Sequence, residues 1–256
     1  MKIFRIIIIS IIIFLVINTG KTYGQRNKVK NLPKYDLARY HFGFILAANQ
    51  MFFTVKTKPG FSDITFDQSQ SPDIFADSSK LYQVNSDPTL GFTIGIVSNM
   101  RLGKYFDLRF IPSLTFGERY MNYSIMRYKD GKPTLVDIQK NITSTYVDLP
   151  IHIKFKSKRI NNMRAYVLGG IKYNIDLAAN KKKKDDTDET YLKLKKNDFL
   201  FEIGVGFDFY TGFFKFGTEL KMSYGIVDLL QRENNIYTDC IESLNSKIFQ
   251  LSFTFE

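Results

Sequence analysis

Three stretches near the end of the chain alternate strictly between apolar and polar positions. They are FLFEIGVGFDFY from Phe199, FKFGTELKMSY from Phe214 and KIFQLSFTFE from Lys247. Because successive side chains of a strand point to opposite faces, each stretch would present one apolar, aromatic-rich face and one face of polar and small residues. About ten residues is also the length of a tilted strand that crosses a bilayer. The pattern therefore predicts membrane-spanning β-strands, the last of which can close the sheet without leaving an edge.

Five further stretches show the same alternation earlier in the chain. The connections between the eight stretches are alternately long and short, which is the layout of outer-membrane barrels. We therefore predict an all-β fold: an eight-stranded antiparallel up-and-down transmembrane β-barrel with long extracellular loops and short periplasmic turns. The five earlier stretches are residues 41–55, 89–102, 105–117, 145–156 and 164–177.

The face that points outward decides between a membrane barrel and a soluble ligand-binding barrel, which would hide its apolar face. The polar faces carry glycines such as Gly204 and Gly206, which weaken a solvated strand but suit a crowded interior. The apolar faces are long and uncharged, as a bilayer requires. We therefore expect the polar faces to form a closed lumen filled by paired charges rather than a pore. The predicted internal polar network comprises Arg109, Asp148, His152, Lys154, Glu202, Asp208, Lys215, Glu219 and Lys221.

The beginning of the chain has the pattern of a secretory signal peptide. Lys2 and Arg5 precede an apolar run, residues 6–17, that is short for a transmembrane helix. Small residues precede Gln25, so we predict cleavage between Gly24 and Gln25; the alternative is an uncleaved N-terminal anchor. The predicted organisation is a signal peptide at 1–24, a periplasmic N-terminal segment at 25–39 and an outer-membrane barrel at 40–256.

Composition and motifs favour no catalytic chemistry. The net charge of +11 favours anionic lipid head groups or an acidic protein partner over nucleic acid, which an exported chain rarely meets. Asp148 and His152 lie four apart on one strand face, but no nucleophile accompanies them, so a barrel enzyme is the weaker hypothesis. The acidic run 185–189 lacks the glycine and distal Glu of an EF-hand loop. We expect no enzyme activity, no cofactor, no metal and no small-molecule substrate.

Three segments resemble the PorT/SprT family of small outer-membrane barrels associated with type IX secretion and gliding motility. They are the leader Asn31, Leu32, Pro33, Lys34, Tyr35 and Asp36 with the following HFGF, the strand TYVDLPIHIKF from Thr145, and the strand RAYVLGG from Arg164. The resemblance implies a non-enzymatic part in protein secretion or in assembly of the export machinery. It also implies partners among other secretion proteins, in addition to outer-membrane lipid. We consider the leader a possible docking strip for such a partner, or otherwise a flexible segment.

A second hypothesis needs no secretion role. The long loops could make the protein a structural or adhesive barrel that binds ligands outside the cell.

Overall fold

The structure is a computed structural model that describes residues 29–71, 74–178 and 192–256. The predicted signal peptide, its cleavage site at Gly24 and Gln25, and the charged run 181–189 lie outside the described residues. Residues Asn31–Glu256 form one compact unit, to which the following account refers. No helix in the described part of the chain is long and apolar enough to cross a membrane.

Within the described residues, eleven strands form one antiparallel sheet. The remaining regular structure consists of three single 3-10 turns, beginning at Tyr35, Phe61 and Gln68, and a four-residue helix, Ile236–Asp239. The strands are β1 (Tyr40–Thr57), β2 (Phe66–Asp67), β3 (Ser78–Asp87), β4 (Thr89–Arg101), β5 (Phe106–Phe110), β6 (Ser113–Lys129), β7 (Lys132–Lys156), β8 (Met163–Asp176), β9 (Asn197–Tyr210), β10 (Lys215–Gly225) and β11 (Ile241–Phe255).

The strand pairings run in a ring of eight positions. β1 pairs with β4 on one side and with β11 on the other, and β7 to β11 follow one another in sequence order. β5 and β6 share one position, because both pair with β4 and with β7 on either side of a break at Ile111 and Pro112. All eight predicted strands form, and the predicted all-β antiparallel fold is confirmed.

The two faces of the strands point as predicted. On β9, Phe199, Phe201 and Val205 are each about half exposed, whereas Glu202 and Asp208 at the alternate positions are buried. The same alternation runs through β8, β10 and β11. The barrel therefore presents a belt of large apolar side chains on its outside and encloses its charges, which is the arrangement of a membrane barrel.

The connection after the third predicted strand is not the long loop that the sequence suggested. β6 and β7 instead continue as a long hairpin, paired from Ser113↔Asp148 to Lys129↔Lys132. Asp130 and Gly131 form its turn with φ of 50° and 71°. Positive φ at both central residues is the signature of the type I′ turn, which Asp-Gly favours because its twist matches that of the flanking strands.

The two ends of the barrel differ. The short-turn end carries residues 31–39 and the connections β4–β5, β7–β8 and β9–β10. The long-loop end carries β2 and β3, which lie in the first predicted loop, together with the β6–β7 turn and the β10–β11 connection. Residues from these connections pack against the nearby ends of the strands in a buried apolar cluster. This cluster includes Phe53, Leu81, Tyr123, Ile236 and Leu244. The long-loop end is therefore a packed region with its own hydrophobic core.

Candidate functional site: a charged lumen and its leader

The structure brings all nine residues of the predicted polar network into the lumen, where each is 3 % exposed or less. They come from four strands: β5, β7, β9 and β10, and Arg109 is the contribution of β5. Alternation alone explains this placement, since every one of them occupies an inward position of its strand. Charges so deeply buried persist only when they are paired and hydrogen-bonded.

Two close ion pairs occupy the part of the lumen nearer the short-turn end. Arg109 Nη1 lies 2.7 Å from Glu219 Oε2. Lys154 Nζ donates to both carboxylate oxygens of Asp208 at 2.9 Å, and it also lies 3.4 Å from the centre of the Tyr166 ring. Each cation therefore has an anion at hydrogen-bonding distance, which offsets part of the cost of removing both from water.

Glu202 is the centre of the next group. His152 Nε2 lies 2.8 Å from Glu202 Oε2, Ser223 Oγ donates to Oε1 at 3.2 Å, and Lys221 Nζ is 3.8 Å from Oε1. Ser223 therefore contacts the carboxylate and not the imidazole. In a catalytic triad the serine contacts the imidazole, so this arrangement is not a catalytic triad.

Asp148 does not contact His152, although the sequence places them four apart. It accepts a hydrogen bond of 2.7 Å from Thr115 Oγ1 and lies 4.0 Å from Lys172 Nζ. The acid–base pair considered from the sequence is therefore not formed. Among the described residues, no group of three or more His, Cys, Asp or Glu is placed to hold a metal ion.

Glu256 was not among the predicted network residues, but its side chain turns into the lumen. Its carboxylate lies 2.8 Å from Lys215 Nζ and 3.5 Å from Arg109 Nη2, and it accepts a hydrogen bond from the Tyr35 hydroxyl at 3.2 Å. Glu256 therefore connects the internal network to the leader. Its inward direction follows from the alternation of β11, in which Ser252 and Thr254 are also buried.

The leader, residues 31–36, lies across the short-turn end. Both carboxylate oxygens of Asp36 accept hydrogen bonds from the Arg164 guanidinium, at 2.8 and 2.9 Å. Asn31 bonds to the Asn162 side chain at 2.9 Å and to the Tyr210 carbonyl at 3.0 Å. Bidentate carboxylate–guanidinium pairs fix orientation as well as adding energy, so the leader is held in one position.

Two arginines hold the leader's backbone. Arg101 donates to the Asp36 carbonyl and Arg159 donates to the Asn31 carbonyl. Beneath the leader lies a cavity of about 10 Å³, which is room for about one water molecule. Pro33 and Lys34 are exposed. The six predicted docking residues therefore divide into some that seat the leader and two that are available to a partner.

Asp36 has a pKa below its ordinary value of 3.8. Burial would by itself raise this pKa, but the hydrogen bonds and the charge of Arg164 outweigh it. The carboxylate is therefore ionised at neutral pH and its pairing with Arg164 is present there.

Arg119 lies where the polar lumen meets the apolar cluster of the long-loop end. Its side chain is completely buried, stacks 4.1 Å from the centre of the Phe53 ring and donates to Ser246 Oγ at 2.9 Å. Cation–π contact and one hydrogen bond offset part of the cost of removing its charge from water. Arg119 was not predicted from the sequence, because the third predicted strand ended at residue 117.

Comparison with solved structures found similarity to two outer-membrane proteins. Neisserial surface protein A (NspA) matches with a TM-score of 0.36 and 10% identity over 83% of this chain and 96% of its own. The outer membrane protein OprG from Pseudomonas aeruginosa matches with a TM-score of 0.34 and 10% identity over 85% of this chain and 95% of its own. No curated protein matches the chain significantly. The model of one family, described as "Outer membrane protein beta-barrel domain", matches residues 39–231. With three quarters of its residues matched, the chain belongs to the outer membrane protein β-barrel domain family.

Proposed function

We propose that this outer-membrane protein works without catalysis in the type IX secretion of proteins, or in assembly of that export machinery. The observation that supports this proposal is the seated leader. The resemblance to the PorT/SprT family rests partly on these residues, and the barrel holds them in one orientation with Pro33 and Lys34 exposed. A segment that is ordered before it binds loses less entropy when a partner docks on it.

The charged lumen supports the same proposal. Its ion pairs are buried and the leader lies across one end, so a folded or extended cargo chain has no path through it. The protein therefore acts through its surfaces. In this proposal the short-turn end faces the periplasm, and the leader contacts another component of the secretion machinery there.

The test is a deletion strain compared with a complemented strain by quantitative proteomics of the medium, cell surface and periplasm. We expect signal-peptide-bearing cargo to accumulate in the periplasm while other barrel proteins assemble normally. Unchanged export in the deletion strain would show that the secretion role is wrong.

A leader variant sharpens this test. Lys34→Glu reverses an exposed charge that makes no contact with the lumen, so it should lower export while the barrel remains folded. Lys129→Glu, at the tip of the β6–β7 hairpin, is the matched control at the opposite end and should export normally. Equal export by the two variants would argue against docking through the leader.

One observation favours a second candidate, a structural or adhesive barrel. The long-loop end has a packed apolar cluster and a hairpin, β6–β7, that continues past the apolar belt. Such a rigid extracellular region suits ligand binding. This candidate predicts that shortening the hairpin abolishes surface binding and leaves secretion intact.

A further inference from the structure

A groove of about 530 Å³ lies on the outer wall of the barrel, across β4, β6 and β7. It forms where β3 stops at Asp87 and β4 begins at Thr89, both of them running beside β6. Small outward residues of β7, Thr143 and Thr145, lie between larger neighbours and form its floor. The groove therefore results from small outward side chains on β7 that lie beside larger side chains on the neighbouring strands.

The groove lies at the boundary between the apolar belt and the polar region above it. On β6, outward Leu114 and Phe116 are followed by Glu118, Tyr120 and Asn122. Above that level the outward side chains bond to one another across strands: Asn122 donates to Asp87 at 2.6 Å and Gln139 donates to Asn122 at 2.9 Å. A ladder of this kind belongs in water, whereas the belt belongs in lipid, so the membrane surface crosses the groove.

The lining has two parts that match an amphiphile. Leu90, Phe92 and Phe116 provide an apolar part on the membrane side. Glu118 provides a carboxylate on the water side, where one of its oxygens accepts from the Tyr120 hydroxyl at 3.1 Å and from the Asn141 amide at 3.4 Å. A pocket that is mostly apolar, with a few convergent polar groups, is typical of a ligand site.

The charge of the lining restricts the head group. None of the described residues that line the groove is basic, and Glu118 is acidic. An ionised carboxylate accepts hydrogen bonds and repels a phosphate. Hydroxyl groups of a sugar supply the donors that Glu118, Thr143 and Thr145 can use. We propose that the groove binds a glycolipid, with an acyl chain against Phe92 and Phe116 and its sugar hydroxyls at Glu118. This site is independent of the proposed secretion role.

The test measures lipid retained by the purified, delipidated full-length protein in detergent, using native mass spectrometry. The probes are diglucosyl diacylglycerol and phosphatidylglycerol, which share their acyl chains. We expect the wild-type protein to retain the glycolipid at least about fivefold more than the phospholipid, a difference that one hydrogen-bonded head group can supply.

Three variants separate the groove from general lipid adhesion. Thr143→Trp fills the floor and should reduce glycolipid retention to the level of phosphatidylglycerol. Thr218→Trp places the same side chain at an outward position of β10, away from the groove, and should behave as wild type. Glu118→Lys should reverse the preference toward phosphatidylglycerol, and this reversal requires a folded barrel. Equal retention of both lipids by the wild type, or identical behaviour of the two Trp variants, would overturn the proposal.

Discussion

The Lys154–Asp208 pair offers a quantitative test of the claim that paired charges hold the lumen together. Both side chains are 1 % exposed, and the ammonium lies 2.9 Å from each carboxylate oxygen. At an effective dielectric constant of about 20, two unit charges at this distance attract by about 6 kcal/mol. Removing two ions from water costs several kcal/mol each, so the intact pair contributes little net stability.

Loss of one partner has a larger effect, because the remaining charge stays buried without compensation. We expect Lys154→Met and Asp208→Asn each to lower the free energy of unfolding by about 3–5 kcal/mol. The double variant buries no charge at this position, so it should cost less than the sum of the two single changes. We expect a coupling energy of at least about 2 kcal/mol.

The assay is urea unfolding in lipid vesicles followed by circular dichroism, since the chain contains no Trp to report by fluorescence. Gel mobility of heated and unheated samples gives an independent measure of the folded fraction. Lys158→Met, on the exposed β7–β8 turn, is the matched control and should change stability by less than about 0.5 kcal/mol. Single lumen variants as stable as this control, or additive effects in the double variant, would refute the reasoning.

Asp36→Asn should weaken the binding of the leader to the barrel by about 1–3 kcal/mol. The measurement is the rate of proteolysis within the leader, which should rise; an unchanged rate would contradict the proposed position of the leader. Because the pKa of Asp36 is lowered, its pairing with Arg164 stabilises the leader fully above pH 3.8, and this stabilisation is lost as pH falls through the lowered pKa. Arg164→Met should abolish this acid-dependent loss of protection from proteolysis. A pH dependence that persists in the variant would implicate another group. Gly131→Val should destabilise the hairpin by about 1–2 kcal/mol, because φ is 71° at this position and a residue with a Cβ is disfavoured there. Hydrogen exchange near the turn should accelerate, and unaltered exchange would argue against this turn geometry.

The eight ring positions could be predicted because the signal is local. Each strand lies between lipid and lumen, so the environment changes with every residue and leaves a period of two in the sequence. The same reasoning failed above the membrane, where the outward side chains of the β6–β7 hairpin become polar. The inward face of the hairpin packs instead into the apolar cluster of the long-loop end, through residues such as Tyr123 and Ile125. The Asp130-Gly131 pair is nevertheless a local hairpin signal, because Asp-Gly favours the type I′ turn found there.

The pattern also predicts which charges point inward, but not which of them meet. His152 contacts Glu202 rather than Asp148, because β8 and β9 bring Glu202 beside it in the closed ring. Such contacts depend on the register and curvature of several strands, which no single stretch of sequence encodes. The apolar cluster at the long-loop end was missed for a related reason, since its members come from connections far apart in the chain.

The order of the leader was not predicted from its sequence, because its polar composition is typical of a flexible chain. The structure shows that its order comes from the barrel: Arg101, Arg159 and Arg164 stand around the short-turn end and bind its carbonyls and the Asp36 carboxylate. These contacts are polar and close to solvent, whereas the strands share continuous backbone ladders. Segments with few buried apolar contacts open at lower free energy than the core that supports them. The leader is therefore the part of this end that can be released while the charged lumen stays intact. A partner that binds only the released leader would have to supply the free energy of the leader's contacts with the three arginines.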